Sequence, residues 1–288
     1  MKRVGLGTAQ LGSKYGVSNK IGVPSRTETE KILNICIDSK IDTIDTAMSY
    51  GNSEDNLGLH NLEHFKVVTK LKSAPKNHKE IDSWVKSSVE KSMKRLNISK
   101  IYGLLLHDSS ILKNQYGKLI YQSLLQLKNE KLIGKLGVSI YSPQELDRTF
   151  EYYPFDLIQA PFNVFDRRIE SSGWLDKLKR SDVEIHVRSI FLQGILLMKE
   201  ERPDYFKPWD KLFGIWEKWN EQNNIKTIHS CLAFALSNKQ IDRVIIGVES
   251  SNQLNEILSY KHSKTQKFPD EISSDDIQLI DPSKWSLK

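Results

Sequence analysis

The chain has 288 residues, 39% of them apolar, and a formal net charge of +6, which suits one α/β barrel of roughly 250 residues with a substantial core. Its lysines are scattered apart from a small cluster in KLKSAPKNHKE (70–80), without the dense basic, aromatic-interleaved stripe of a nucleic-acid face. No apolar run approaches the ~20 residues of a membrane span, MKRVGLGTAQLG lacks the apolar core of a signal peptide, and Cys36 and Cys231 stand far apart, without disulfide or metal-ligand spacing.

Short apolar runs alternate with longer helical patterns along the whole chain. RVGLGTA (3–9) reads as a strand, and RTETEKILNICIDS (26–39) as a helix capped by Ser25 or Thr27. TIDTA (43–47) is a second strand, SEDNLGLHNL (53–62) a helix with acidic residues in its first turn, and FKVVTKL (65–71) a third strand. Helix 80–97, strand 101–107, helix 119–131, strand 133–139, helix 142–152 and strand 155–163 follow. Then come helix 172–181, strand 183–191, helices 215–223 and 227–237, the eighth strand RVIIGV (243–248) and helix 251–260. Eight strands alternating with helices predict a parallel sheet, and in this length a closed single-domain (β/α)8 barrel spanning 1–288. The first strand lacks the Gly-x-Gly-x-x-Gly of a doubly wound nucleotide-binding fold. The polar tail from about 261 is expected to lie on the surface.

In such a barrel, chemistry gathers where the strands end. Asp45 lies near the end of the second strand, with Tyr50 in the loop just after it; Lys70 ends the third strand and His107 the fourth. Ser139 ends the fifth, and Gln159 and Asn163 the sixth. Singly, each such residue is more often structural. Together, at successive strand ends, they point to one site. Asp42, three residues before Asp45, faces the other way on a regular strand and reads as structural.

The same segments resemble those of the aldo-keto reductases, in order and over nearly the whole chain. DTAMSYG matches that family's Asp-Thr-Ala-x-x-Tyr-Gly, and SEDNLG its Ser-Glu before Leu-Gly. VVTKL resembles its lysine strand and GLLLHD its histidine strand, with GKLGVS, IQAPFN, FLQGIL and VIIGVESSNQLNEI following. The resemblance implies reduction of an aldehyde or ketone by a nicotinamide cofactor. Tyr50 would give the carbonyl oxygen its proton. Lys70 would favour the phenolate, Asp45 would hold Lys70 charged, and His107 would hydrogen-bond the carbonyl oxygen.

By the same resemblance Gly7, Thr8 and Asp45 would sit beside the cofactor, and Ser139 and Gln159 would bond the nicotinamide amide. Ser189, Phe191, Gln193 and Gly194 would run along the pyrophosphate, and Gly247, Ser250 and Gln253 would meet the adenosine end. Arg188 stands where the family usually stacks an aromatic ring on the nicotinamide, and Ile140 where many members have Asn. Glu249 replaces a frequent basic residue near the 2′-phosphate, and Ile257 an adenine-reading Asn. NADP(H) is expected on family usage, with NAD(H) as the alternative because a carboxylate suits a ribose hydroxyl. The partner is a small carbonyl compound. No nucleic acid, membrane or metal is expected, the location reads as cytoplasmic, and the oligomeric state is open. The alternative function is a non-catalytic, cofactor-binding barrel that reports redox state to another protein.

Substrate choice in such barrels lies in the loops over the mouth. Here those are 10–25, the stretch after His107, and 199–214. Gln10, Lys14 and Asn19 in the first would suit a hydroxylated substrate such as a sugar. Tyr205, Phe206, Trp209 and Phe213 in the third either line an apolar pocket or pack the loop onto the barrel.

Overall fold

The computed structural model describes residues 2–73, 80–113, 115–260 and 267–287, so part of the basic cluster at 70–80 and the start of the tail lie outside the described residues. Among the described residues, β1 (Val4–Gly7), β2 (Thr43–Asp45), β3 (Lys66–Leu71), β4 (Ile101–Leu106), β5 (Ile133–Ser139), β6 (Leu157–Pro161), β7 (Glu184–Arg188) and β8 (Arg243–Gly247) pair in sequence order. All pairings are parallel, and β1 closes on β8 through Val4↔Val244 to Gly7↔Gly247. This is the expected (β/α)8 barrel. No helix among the described residues is long and apolar enough to cross a membrane.

Strand alternation divides the core in two. On β4, Leu104 and Leu106 join the large cluster between strands and helices, while Leu105 turns inward to meet Val68 of β3 and Leu157 of β6. The same alternation sends Lys70 inward, two residues beyond Val68, and Gln159 inward, two beyond Leu157. Both therefore stand one layer higher, at the C-terminal end of the barrel. At the opposite end Glu184 accepts hydrogen bonds from Tyr102 Oη (2.6 Å) and Lys135 Nζ (2.5 Å) and pairs with His186 Nε2 (2.7 Å). Asp42 is held there by Lys66 (3.1 Å) and Arg243 (3.2 Å), in keeping with its structural reading.

The helices form close to where their periodicity places them, with ends shifted by a few residues. Ser25 caps helix Arg26–Asp38 by accepting from the Glu28 N–H. The C-terminal tail differs from expectation. Ile272, Leu279 and Ile280 are fully buried, and Phe268 packs on Trp219 and Phe234. Each such aliphatic side chain removed from water contributes ~1.5–3 kcal/mol, so the tail is held in the fold rather than laid on its surface.

Candidate active site

Each site residue is aimed by a local feature of its own segment. After β2 the chain turns so that the Tyr50 N–H bonds the Ala47 carbonyl (3.0 Å). Gly51 follows with φ +53°, and a Cβ there would lie 2.3 Å from the Gly12 carbonyl oxygen. The glycine after Tyr50 is thus required by both backbone conformation and space. Thr8 Oγ1 donates to the Asp45 carbonyl (3.0 Å), and Ser53 Oγ donates to the Thr8 carbonyl (2.8 Å), tying the ends of β1 and β2 together. Glu54, read from sequence only as a helix-start acid, accepts from Thr69 Oγ1 (2.7 Å), Ser92 Oγ (2.6 Å) and Arg95 Nε (2.9 Å). It thereby anchors the residue preceding Lys70.

The centre is a buried relay. Lys70 Nζ, with its side chain 1% exposed, donates to Asp45 Oδ2 (2.6 Å), to the Thr46 carbonyl (2.9 Å) and to Tyr50 Oη (3.3 Å). Burial alone would lower the Lys70 pKa; the Asp45 carboxylate and the Tyr50 oxygen reverse that, and the net shift is upward. Lys70 is therefore a buried ammonium at neutral pH. Gln159 Nε2 donates to Asp45 Oδ1 (2.7 Å), so both carboxylate oxygens are engaged.

His107 stands edge-on to Tyr50, with ring centroids 5.7 Å apart. Burial, helped by the positive charges of Lys70 and Arg188, pushes its pKa down to about 4. The imidazole is neutral at pH 7. Its Nδ1 lies 2.9 Å from Ser49 Oγ. When the Ser49 hydroxyl donates to Nδ1, the ring proton sits on Nε2.

Above this relay opens a cavity of about 370 Å³. Of the residues assigned above to the catalytic set or to cofactor contact, all line it except Lys70, Gln159 and Ser250; Asn163, Lys14 and Asn19 also lie outside its lining. Lys70 and Gln159 are buried beneath its floor. The Ser250 hydroxyl instead caps helix Ser251–Leu258, accepting from the Gln253 N–H (3.2 Å). The cavity runs from Tyr50 and His107 past Ser139 and Arg188 to Gly247, Glu249 and Gln253.

Two loops meet over it. Between Ser189 and Gly194, four residues take left-handed backbone: Ser189 (φ +60°), Leu192 (+47°), Gln193 (+53°) and Gly194 (+91°). Non-glycine residues in that region carry a conformational cost that persists where the surroundings enforce it, often at ligand clamps. The first loop closes onto this segment: the Val17 N–H bonds the Gln193 carbonyl (3.0 Å) and Gln193 Nε2 bonds Tyr15 Oη (3.3 Å). Burial raises the pKa of Glu249, an effect partly offset by the nearby Lys20 backbone N–H.

Other expectations meet a different outcome. Asn19 is folded into its own loop, accepting from the Gly22 N–H (2.7 Å) and donating to the Tyr15 carbonyl (3.2 Å). Lys14 does not line the cavity, and Gln10 lines it next to Gly247, away from Tyr50. The aromatic cluster of 199–214 packs rather than lining a pocket: Phe206 and Phe213 are fully buried, Phe206 meets Trp285 edge-on at 4.9 Å, and Trp209 Nε1 donates to Asp276 (3.0 Å). Asn163 organises its own turn, its Oδ1 accepting from the Phe165 and Asp166 N–H groups (2.9 Å each).

Sequence reasoning missed Ser49, Tyr15 and Tyr141. Arg188 lies over the Tyr141 ring (4.6 Å to the centroid) and donates to the Ile140 carbonyl (3.0 Å) and Ser189 Oγ (3.2 Å). Only the barrel closure brings the ends of β5 and β7 close enough for that stack. Among the described residues, no group of three or more His, Cys, Asp or Glu could hold a metal ion.

The model of the aldo/keto reductase family matches residues 3–276. The aldo-keto reductase YhdN of Bacillus subtilis (strain 168) is 29% identical over 184 residues, 59% of this chain and 53% of that protein. The match thus spans about half the length of that curated relative. Among solved structures, the holo form of an aldo-keto reductase from Bacillus halodurans superposes with a TM-score of 0.72 at 18% identity, covering 92% of this chain and 88% of that one. A glycerol dehydrogenase from Gluconobacter oxydans gives 0.71 at 22% identity, covering 94% and 88%. At such identities the structural likeness speaks to the fold alone.

Proposed function

The chain belongs to the aldo/keto reductase family, and from that premise we propose that it is an NAD(P)H-dependent oxidoreductase that reduces an aldehyde or ketone to an alcohol. The observation that carries the reading is the relay at the mouth: a fully buried Lys70 ammonium bridging the Asp45 carboxylate at 2.6 Å and the Tyr50 hydroxyl at 3.3 Å. Burying an ammonium costs several kcal/mol that only close pairing offsets, and the pairing here sets the charge against the Tyr50 hydroxyl. Its work here is to make a phenol a competent proton donor.

The cleft residues fit a dinucleotide. Gln159 Oε1 is buried without a protein partner and could accept from a carboxamide NH2 beside Ser139. A Cβ on Gly247 would lie 2.5 Å from the Gln10 side chain, so the end of β8 has room only for bare backbone facing the cavity. The loop from Ser189 to Gly194 and the end of the cavity at Gln253 would hold the remainder. When bound, the nicotinamide would supply a hydride to the carbonyl carbon.

The chain's own residues do the rest. Tyr50 Oη gives its proton to the carbonyl oxygen as negative charge develops there, and Lys70 stabilises the phenolate left behind. Asp45 keeps Lys70 charged and is itself held by Gln159. Neutral His107 donates from Nε2 to the same oxygen, with Ser49 fixing the tautomer. Tyr50 and His107 thus converge on one point from two strand ends, which positions the carbonyl and stabilises the developing oxyanion together.

The cofactor choice turns on the Glu249 end. Family usage favours NADP(H), whereas a carboxylate at that end favours a free 2′-hydroxyl. The two unpaired, buried cysteines suit a reducing compartment, and a cytoplasmic location goes with that. The test is direct: purified protein, NADPH or NADH, and D-glyceraldehyde. Loss of reduced-nicotinamide absorbance that depends on both protein and aldehyde supports the reading. Cofactor binding without turnover of any aldehyde would favour a redox-reporting barrel.

A further inference from the structure

We infer that the carbonyl compound reduced here is hydroxylated and carries an anionic group, and that its body lies in a second groove, lined by serines and charged residues, leading away from His107. The inference rests on the reductase reading of the relay and adds the substrate class to it. The groove, about 750 Å³, shares Ser49, His107 and Tyr141 with the first cavity. The two therefore meet at the reaction centre and diverge from it. The first extends toward Gln253 and is the one assigned above to the dinucleotide. A substrate whose carbonyl sits at Tyr50 and His107 has the second for everything beyond the carbonyl.

The walls of that groove set its chemistry. Around His107 and the Tyr141 ring its lining residues are serines and charged side chains, with Ser73, Ser110 and the tail's Ser283 among them. The aromatic residues that could have made an apolar wall are spent on packing the 199–214 loop and the tail. The charges are unequal in availability. Asp108 accepts from the Ser110 N–H (2.8 Å) and Ser110 Oγ (2.7 Å). Glu145 accepts from the Tyr141 and Ser142 N–H groups (2.8 and 2.9 Å) and from Ser109 Oγ. The groove's acids are thus already bonded to the protein. Its cations are not: among the described residues no ion pair engages Lys72 or Lys113. At the junction Arg188 donates to a carbonyl and a hydroxyl and lies over the Tyr141 ring, and among the described residues no ion pair engages it. The two acids and two lysines balance in formal charge, but the acids' oxygens are taken by protein donors while the lysines keep N–H donors free to meet an anion, and the groove's hydroxyls match a hydroxylated body.

Matched probes test this with the holoenzyme. D-Erythrose 4-phosphate against D-erythrose isolates a phosphate, succinic semialdehyde against butanal isolates a carboxylate, and D-erythrose against butanal isolates the hydroxyls. At low salt, at least one anionic probe should exceed its neutral partner about tenfold in kcat/KM, chiefly through KM, and D-erythrose should exceed butanal. Which pair responds tells phosphate from carboxylate. In Lys72→Met/Lys113→Met the anion's advantage should fall about fivefold, in line with two partly screened charges, and added salt should shrink it in the wild type. Butanal equal to or better than all the others would overturn the inference while leaving the reductase reading intact. An anion advantage that survives the double variant would overturn the assignment to this groove. Calorimetry with the non-reducible 4-phospho-D-erythronate and D-erythronate answers the same question without turnover: binding weakened by the double variant supports the groove, and no binding to the wild type contradicts it. Should no aldehyde be reduced, the reductase reading fails separately.

Discussion

Asp45→Asn is a nearly isosteric change with a large expected effect, because the partner it leaves behind is a buried charge. At 2.6 Å, the Asp45–Lys70 attraction amounts to roughly 6 kcal/mol at an effective dielectric of about 20. Asparagine also offers one acceptor oxygen where two are needed. Lys70 Nζ and Gln159 Nε2 both donate to Asp45, one to each oxygen, so one donor must now face an amide N–H. Removing one member of such a buried pair costs about 3–5 kcal/mol of stability. It also lets burial dominate at Lys70 and pulls its pKa down, so the ammonium that supports Tyr50 is partly lost. Lys70→Met replaces the charge with an apolar chain of similar length. The double variant Asp45→Asn/Lys70→Met should therefore be more stable to urea than Asp45→Asn alone, by about 1–3 kcal/mol. Its kcat should be no lower than that of Lys70→Met, because Asp45 acts through Lys70. Urea midpoints and single-turnover rates for the four proteins complete the cycle. A double variant less stable than Asp45→Asn, or kcat losses that multiply, would refute the reasoning.

Three further outcomes follow from other parts of the site. Glu249→Arg reverses the charge at the far end of the cavity; after screening, a change of ~1–2 kcal/mol should tighten NADPH binding about ten- to thirtyfold and leave NADH unchanged or weaker, as read by fluorescence titration. An equal response of both cofactors would mean that Glu249 points away from the 2′ position. The folded-state pKa of His107, near 4, lies below the ordinary 6.5. As pH falls through that window the unfolded chain takes up the proton first, so stability declines from about 6.5 down to about 4, by at most ~3 kcal/mol, and levels off below. Urea midpoints of His107→Gln should lack that decline; parallel pH profiles for the two proteins would contradict the assignment. Ser49→Ala frees the imidazole tautomer and should lower kcat about tenfold, less than a direct acid–base group would, with cofactor affinity unchanged.

Much of this molecule is legible in its sequence because two short-range rules carry it. Short apolar runs alternate with helical patterns along the chain, and each apolar run ends where polar groups begin. That pattern alone places Asp45, Lys70 and His107 at one rim. What escapes is contact between segments distant in sequence. Neither Arg188 nor Tyr141 announces the other, since their stack exists only once β5 and β7 are curled into the same barrel. Ser49 reads as filler in a turn until His107 arrives beside it. The tail misleads for a different reason. Ile272 stands alone and Leu279 and Ile280 sit in the short run IQLI (277–280), too little apolar sequence in a polar stretch to show a period, yet all three are buried in the main core cluster. Ser250 shows the reverse: its position invites a ligand role, while its hydroxyl is taken by the helix it starts.

In the proposed mechanism Tyr50 delivers the proton to a carbonyl held at the ends of β2 and β4. Tyr50→Phe removes the hydroxyl and keeps the ring that faces His107 at 5.7 Å. The decisive measurement is kcat for D-glyceraldehyde in Tyr50→Phe beside the wild type, with cofactor Kd measured on the same preparations. A fall of at least about a hundredfold in kcat, with cofactor Kd little changed, is the expected result. Near-normal turnover in the phenylalanine variant would contradict the assignment of Tyr50 and with it the mechanism.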